Sequence, residues 1–129
     1  MRTPIRIALV EDNEVYRSSL ELLLGMRDGL EVVAAVGTAA EALECLAAQT
    51  PDVMMIDLRL PDMSGVDTAK AVRASAPTVA LVCLTAEVAA HERAALLEAG
   101  AHAIVEKGEP IDALVALVRA AVLVVGNDR

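Results

Sequence analysis

Short apolar runs and amphipathic segments alternate along the chain. The apolar runs, which predict buried strands, cover residues 5–10, 31–36, 53–56, 79–84 and 103–105. Segments with apolar residues at helical spacing follow each run, at residues 13–24, 38–48, 64–76, a stretch that ends near residue 100, and 111–125. This order predicts an α/β domain in which a helix follows every strand.

The two central runs, residues 53–56 and 79–82, are apolar without alternation. Such strands are covered on both faces, as in a parallel sheet between two helix layers. Right-handed crossovers leave few topologies, and the flavodoxin-like order 2-1-3-4-5 is the common five-stranded one. We expect a five-stranded parallel sheet with helices on both faces. The 129 residues fit one domain, with its core at about residues 5–125 and no second domain.

Several residues mark helix ends. Thr38 and Glu41 form a T-x-x-E capping box, and Ser64 can cap the third helix. Pro110 stands near the start of the last helix, and Gly126 stands just past its predicted end.

Composition excludes several function classes. The formal net charge is -8, which argues against a surface that binds DNA or an anionic membrane. Tyr16 is the single aromatic residue, so nucleic-acid bases have no stacking platform. No apolar run reaches the ~18 residues of a membrane span, and no signal-peptide core precedes Ile5. We expect a cytoplasmic protein without membrane contact, in which Cys45 and Cys83 are unpaired core thiols.

Charged and hydroxyl side chains stand where the predicted strands end. In open α/β sheets, ligands bind outside the carboxyl ends of the strands. The residues there are Glu11 and Asp12 after the first strand, Asp57 after the third, Thr85 after the fourth and Lys107 after the fifth. The second strand ends without such a group, at Gly37. We expect the five polar side chains to gather at one edge of the sheet.

The chemistry of these groups is mutually consistent. Neighbouring carboxylates raise one another's pKa, and a bound divalent cation removes that conflict. Oxygen-only ligands favour a hard ion such as Mg²⁺, whose other positions can hold phosphate oxygens. Asp57 could then attack a phosphoryl group as a nucleophile. The Lys107 ammonium would offset charge on the transferring group, and the Thr85 hydroxyl could donate to a phosphoryl oxygen of the product.

Four motifs occur in order at these strand ends. They are Val10-Glu11-Asp12-Asn13, Met55-Ile56-Asp57-Leu58-Arg59-Leu60-Pro61-Asp62-Met63-Ser64-Gly65, Leu84-Thr85-Ala86 and Glu106-Lys107. Together they resemble the receiver (CheY-like) domain of two-component response regulators, over residues 5–125. The loop from Leu60 to Gly65 leans toward NarL/LuxR-type regulators, which usually carry a DNA-binding helix-turn-helix domain after the receiver.

The resemblance implies a phospho-accepting, Mg²⁺-dependent switch. Its implied site residues are Asp57 as phospho-acceptor, Glu11 and Asp12 as acidic metal-site residues, Arg59 as a metal ligand through its backbone carbonyl, Thr85 as switch hydroxyl and Lys107 as phosphate-contacting lysine. The implied partner is a sensor histidine kinase or a phosphotransfer protein. The domain would catalyse only its own phosphorylation and dephosphorylation. We expect it to reach DNA only through a C-terminal effector domain outside this chain.

Two positions depart from the family pattern. Ile104 stands where many members have an aromatic residue, so the usual aromatic rotamer switch is not expected. Gly108 follows the lysine where many members have a proline in a cis peptide. A cis bond before a residue other than proline costs ~3 kcal/mol, so none is expected here.

Two rival functions are open to test. A haloacid-dehalogenase-type phosphatase also phosphorylates an aspartate after a strand, but it has a second acid two residues later, where this chain has Arg59. A flavodoxin-like small-molecule binder needs a Gly-rich or Ser/Thr-rich loop after the first strand. Glu11 and Asp12 would repel phosphate there.

We expect three further features at the surface of the domain. Arg59 and Glu87 should rim the pocket as an opposite-charge pair that limits hydrolysis, and His91 and His102 should lie at the surface. On the last helix, one face should cover the sheet: Leu114, Val118, Ala121, Val122 and Val125. Four apolar residues should point partly or wholly away: Val115, Leu117, Leu123 and Val124. This helix is therefore a candidate homodimer contact, or a dock for a C-terminal domain.

Overall fold

The computed structural model describes residues 3–127, which form one parallel sheet flanked by helices. The strands are β1 (Ile5–Val10), β2 (Leu30–Val36), β3 (Val53–Asp57), β4 (Ala80–Thr85) and β5 (Ala103–Glu106). The helices are α1 (Glu14–Gly25), α2 (Ala39–Gln49), α3 (Gly65–Ser75), α4 (Ala90–Glu98) and α5 (Ile111–Asn127). The sheet order is β2-β1-β3-β4-β5, which confirms the predicted topology.

Alternate residues of each strand face two separate apolar cores. In β1, Ala8 and Val10 pack beneath α2, α3 and α4, whereas Ile7 and Leu9 pack beneath α1 and α5. Every residue of β3 is buried, as expected for a strand covered on both faces. The apolar runs without alternation are explained by this two-sided burial.

The strand register brings the carboxyl ends together. Val10 pairs with Ile56 of β3 and with Val36 of β2. Asp57 pairs with Leu84, and Thr85 pairs with Glu106. The residues that follow these pairs therefore emerge at one edge of the sheet.

Side-chain caps hold three helix starts, of which those at Thr38 and Ser64 were predicted and that at Asn13 was not. The side chains of Asn13, Thr38 and Ser64 accept hydrogen bonds from the backbone N–H groups of Tyr16, Glu41 and Asp67. The Thr38 half of the capping box is therefore confirmed, whereas the Glu41 carboxylate reaches the N–H of the preceding Gly37 in place of the Thr38 N–H. Glu41 Oε1 accepts from the Gly37 N–H and the Thr38 hydroxyl.

Several sequence expectations were wrong in detail. Asp57 and Thr85 are the last residues of their strands, whereas each was expected just after one. Gly126 lies inside α5, because glycine lowers helix propensity by only about 1 kcal/mol and this one does not adopt a positive φ. Val115 was expected to point at least partly away from the sheet but is buried against it, whereas Leu117 is half-buried, in line with the expectation. Leu123 and Val124 are exposed, as expected.

Some smaller features concern single residues. Cys45 and Cys83 are free and buried, as predicted. His91 is exposed, but His102 is half-buried and its Nδ1 accepts a hydrogen bond from the Leu81 N–H at 2.9 Å, which corrects the surface expectation for it. Within residues 3–127 no helix is long and apolar enough to cross a bilayer.

Candidate functional site

Three carboxylates meet at the carboxyl edge of the sheet. One oxygen each of Glu11, Asp12 and Asp57 lies within 4.8 Å of the others. Glu11 and Asp57 are buried, whereas Asp12 is exposed. The cluster therefore has a closed inner side and an open outer side.

Glu11 is held through its backbone and its side chain. Its N–H donates to the Val36 carbonyl at 2.9 Å, which continues the β1–β2 pairing past the end of β1. Its carbonyl accepts from Arg17 Nη1 at 2.8 Å. The Asn13 N–H donates to Glu11 Oε2 at 2.9 Å, and Oε1 contacts the Lys107 ammonium. Glu11 thus has a fixed orientation in the cluster.

Lys107 supplies the positive charge of the site. Its Nζ lies 3.3 Å from Asp57 Oδ2 and also pairs with Glu11. Its backbone N–H donates to the Thr85 carbonyl at 2.6 Å, which joins the ends of β4 and β5. The next residue, Gly108, has a φ of 101°, a conformation that glycine adopts readily and other residues rarely do. No peptide bond among the described residues is cis.

The surroundings separate the acidities of the two buried carboxyls. Burial raises the pKa of Glu11, and the nearby Asp57 charge adds to that effect. Burial would also raise the pKa of Asp57, but the contact with the Glu11 carboxyl, the Arg59 N–H and the Lys107 ammonium together lower it. Burial lowers the pKa of Lys107, yet its contacts with Glu11 and Asp57 outweigh burial and raise it. Asp57 therefore favours the ionised form.

Thr85 and Arg59 lie beside this cluster. Thr85 is buried, and its hydroxyl donates to the Glu87 carbonyl at 2.6 Å while it accepts from the Glu87 N–H at 3.2 Å. The Arg59 N–H donates to Asp57 Oδ1 at 3.1 Å. All six predicted site residues therefore lie at one edge of the sheet, while the role of the Arg59 carbonyl stays a prediction.

Arg59 and Glu87 also line a common cleft with Ala89, His91 and Glu92, about 320 Å³ in volume. No ion pair joins Arg59 to Glu87 in the part of the chain that the structure describes. The expected rim position fits the structure, whereas the expected charge pairing is not formed.

Three contacts of the site were not found by sequence reasoning. The Tyr16 ring lies 4.9 Å from Lys107 Nζ, a cation–π distance. Arg17 bonds the Glu11 carbonyl, as described above. Asp62 accepts hydrogen bonds from the backbone N–H groups of Ala39 and Ala40, at 2.9 and 3.0 Å, which ties the β3–α3 loop to the start of α2. Helical spacing could have placed Tyr16 on the same side of α1 as Asn13. No local sequence pattern shows that its ring contacts Lys107.

The fold and the site first define a class: an open α/β domain with a carboxylate cluster and a lysine at the carboxyl edge of its sheet. The response regulator receiver domain family matches residues 7–119. The chain belongs to this family, the receiver domains of two-component response regulators.

Individual relatives agree with that assignment. The chain is 39% identical over 110 residues to protein-glutamate methylesterase/protein-glutamine glutaminase 2 of Paramagnetospirillum magneticum, covering 83% of this chain and 31% of that protein. It is 33% identical over 118 residues to the nitrate/nitrite response regulator protein NarP of Escherichia coli, covering 92% and 55%. A LuxR-family two-component response regulator from Aurantimonas sp. has a similar structure, with a TM-score of 0.88, 28% identity, and coverage of 94% of this chain and 86% of that chain.

The similarities to NarP and to the LuxR-family regulator agree with the leaning toward NarL/LuxR-type regulators, whereas the methylesterase shares only the receiver domain family. The chain spans 31% of the length of the first curated relative and 55% of the second. The activities of the longer proteins are therefore not carried over as findings. Membership of the receiver family fits a regulatory role.

Proposed function

We propose that this domain accepts a phosphoryl group on Asp57, from a sensor histidine kinase or a phosphotransfer protein, in a reaction that requires Mg²⁺. The observation that carries the proposal is the carboxylate cluster at the edge of the sheet, with the Lys107 ammonium 3.3 Å from Asp57 Oδ2. A cluster of this kind combines a nucleophile with the charges that a phosphoryl group needs.

Asp57 is suited to act as the nucleophile. Its lowered pKa keeps the carboxylate ionised, while Glu11 is the carboxyl whose neutral form burial favours. An Asp57 oxygen would form a bond to phosphorus as the bond from phosphorus to the donor nitrogen breaks. The Asp57 Oδ1 contact with the Arg59 N–H fixes the rotation of the carboxylate.

The donor set fits a hard divalent cation. Glu11 Oε1 is buried, and within residues 3–127 it makes no hydrogen bond beyond its ion-pair contact with Lys107. Asp12 offers an exposed carboxylate from the open side of the cluster. Glu11, Asp12, Asp57 and the Arg59 carbonyl would hold Mg²⁺. When bound, the ion would offset the carboxylate charge and hold phosphoryl oxygens.

Lys107 and Thr85 would respond to the phosphoryl group once it is on Asp57. The Lys107 ammonium already lies within reach of the Asp57 carboxylate. The Thr85 hydroxyl has one proton, which it now gives to the Glu87 carbonyl. A phosphoryl oxygen would compete for that proton, and release of Glu87 would move the β4–α4 loop. The result is a population shift that changes an output face on α4 and α5.

We further propose how the domain sits in its signalling pathway. Residues 1–129 act as a single receiver domain whose chemistry is limited to its own phosphorylation and dephosphorylation. DNA is reached through a separate C-terminal effector domain, in line with the similarity to NarP and to a LuxR-family regulator. A second copy of the chain contacts the exposed part of α5.

Phosphorylation by acetyl phosphate tests the proposal directly. Wild type should gain one phosphoryl group in intact-mass spectra, and Asp57→Asn or excess EDTA should abolish the gain. Unchanged labelling of Asp57→Asn would disprove the assignment. Turnover of a general phosphatase substrate would favour the dehalogenase-type alternative instead.

Thr85→Ala tests whether acceptance of the phosphoryl group and the conformational switch are separate properties. The variant should still be labelled on Asp57, because the hydroxyl is not the nucleophile. The NMR chemical shifts of the α4 amide groups should change when beryllofluoride is added to wild type. They should stay largely unchanged in the variant. Equal shifts in both proteins would remove Thr85 from the switch.

A further inference from the structure

Arg17 of α1 reaches back to the loop that carries the acidic residues. Its Nη1 donates to the Glu11 carbonyl at 2.8 Å, and its side chain is half-buried. The peptide bond after Glu11 is planar, so a bond that fixes its carbonyl oxygen also fixes the direction in which Asp12 leaves it. The Glu11 N–H is held on the other side by the Val36 carbonyl. Arg17 thus completes the support of this residue.

Gly37 provides the space for the Arg17 guanidinium. A Cβ atom at position 37 would lie 3.1 Å from Arg17 Nη1, closer than most Cβ contacts, while its distances to Glu11 O and Asp12 Cα would be an ordinary 3.7 and 3.9 Å. Gly37 has no positive φ that would itself require glycine. The residue that follows β2 thus carries no side chain of its own and leaves room for the Arg17 side chain from α1.

We propose that Arg17 is a positioning residue for the Mg²⁺ site and that Gly37 is its structural complement. Arg17 orients the Glu11–Asp12 peptide and so holds the two carboxylates in a ligating arrangement. This inference rests on the proposed function, because it concerns the same cation. It adds two residues that act through the backbone of Glu11 and touch neither the cation nor the phosphoryl group.

Loss of Arg17 would change Mg²⁺ affinity in opposite directions, depending on whether its charge or its support of the ligands matters more. A guanidinium near a cation site repels the cation, so removing its charge alone would tighten Mg²⁺ binding. Removing a support for the ligands would weaken binding, by about tenfold where outer contacts orient metal ligands. The sign of the change therefore distinguishes positioning from charge.

Magnesium titrations followed by amide chemical shifts measure this sign. Arg17→Ala should weaken Mg²⁺ binding about tenfold, and Arg17→Lys should recover part of the affinity. Arg27→Ala removes the same charge from a residue that pairs with Asp112, and it should leave the affinity nearly unchanged. Unchanged or tighter binding by Arg17→Ala would overturn the proposal.

Gly37→Ala tests whether Arg17 depends on the space that Gly37 leaves for its guanidinium. It should weaken binding about two- to threefold, because the guanidinium must shift by a few tenths of an ångström. In the Arg17→Ala background the same change should have no further effect, since no guanidinium is left to displace. Additive effects would mean that Gly37 acts independently of Arg17.

A metal-free measurement keeps the inference separate from the proposed function. The Asn13 N–H donates to Glu11 Oε2, so its exchange with solvent reports on the orientation of Glu11. Arg17→Ala should speed this exchange severalfold in magnesium-free buffer, and Arg27→Ala should not. If wild type binds no Mg²⁺, the proposed metal site fails, and the exchange rates still decide whether Arg17 holds the loop. Equal rates in wild type and Arg17→Ala would overturn the inference.

Discussion

Glu11 and Asp57 are both carboxylic acids at neighbouring strand ends, yet their surroundings move their pKa values in opposite directions. Burial dominates for Glu11, whereas for Asp57 the Glu11 contact, the Arg59 N–H and Lys107 outweigh burial. A proton shared by the pair would therefore reside on Glu11, which leaves Asp57 ionised, the state that the proposed phosphoryl transfer requires. The surroundings alone thus give two identical functional groups different acidities.

Cys83 shows the effect of burial on a side chain without a charged partner. It is 0% exposed, and burial raises the pKa of its thiol from 9.0 to about 12. The unfolded chain loses this proton above pH 9, while the folded protein keeps it. The contribution to stability is therefore complete below pH 9 and is lost as the pH rises toward 12.

Chemical denaturation at pH 8 and pH 10.5 tests this prediction. Wild type should lose on the order of 1–2 kcal/mol of unfolding free energy more than Cys83→Ala over that interval. The comparison cancels the titration of all other groups. Cys45→Ala provides a second comparison. It removes the other buried thiol, whose pKa burial also raises, and keeps Cys83. Equal slopes for wild type and Cys83→Ala would show that Cys83 does not titrate with the proposed shift.

At the residue scale, the sequence predicts side chains whose positions follow from the sheet. Glu11, Asp57, Thr85 and Lys107 could be placed because the carboxyl ends of parallel strands meet at one edge. The partners of Arg17 and Asp62 could not, because their hydrogen bonds depend on how loops and helices pack together. Likewise, nothing in the local sequence shows that the His102 ring faces the Leu81 N–H.

At the scale of elements, Asp62 joins two parts of the chain that are distant in sequence. Its carboxylate accepts from two N–H groups at the start of α2, groups that have no partner within a helix. These two hydrogen bonds lower the pKa of Asp62. The bonds therefore contribute above the ordinary pKa of 3.8 and are lost as the pH falls through the lowered value. The β3–α3 loop and α2 are expected to move together.

Asp62→Ala should uncouple the β3–α3 loop from the start of α2. We expect a melting temperature lower by a few degrees, because two N–H groups lose a charged acceptor. Asp62→Asn keeps one side-chain oxygen and should fall between the variant and wild type. Glu44→Ala removes the same charge from an exposed position of α2 and provides the control. Thermal unfolding followed by circular dichroism gives the values, and an Asp62→Ala protein as stable as wild type would contradict the prediction.

Element boundaries were predictable where a side chain determines them. Thr38 and Ser64 accept hydrogen bonds from the first turns of α2 and α3, so the caps are visible in the sequence. The end of α5 was not predictable from Gly126, because an exposed glycine can stay helical when packing on the preceding turns holds the helix. The burial of Val115 likewise depends on how α5 is rotated against the sheet, which periodicity fixes only approximately.

At the scale of the whole molecule, α1 and α5 cover the same face of the sheet and leave apolar side chains in solvent. Leu123 is 67% exposed and Val124 is 51% exposed, near the end of α5. Val15 and Leu22 are exposed on α1, and Met26 is exposed just after its end. Exposed apolar residues mark a contact surface when they form one continuous patch, and the two on α5 are adjacent in sequence.

Replacement of Leu123 and Val124 by glutamate tests whether α5 carries a contact with a second copy. Wild type should gain mass in light scattering when beryllofluoride is added, and the double variant should stay monomeric. Both positions are exposed, so the variant should keep its melting temperature, unlike a change at the half-buried Leu117. Leu22→Glu makes the same chemical change on α1 and shows whether that helix belongs to the contact. Monomers in every case would reject self-association.

Because β1 lies between β2 and β3, the first three strands that the ribosome makes form one continuous half of the sheet, from its β2 edge to the central β3. The first three strands bring Glu11, Asp12 and Asp57 together, while Lys107 arrives only with β5. A partly synthesised chain would therefore gather three negative charges without the ammonium that offsets them. Closure of the acidic cluster is therefore expected to wait for β5 and Lys107, whatever strands have already paired.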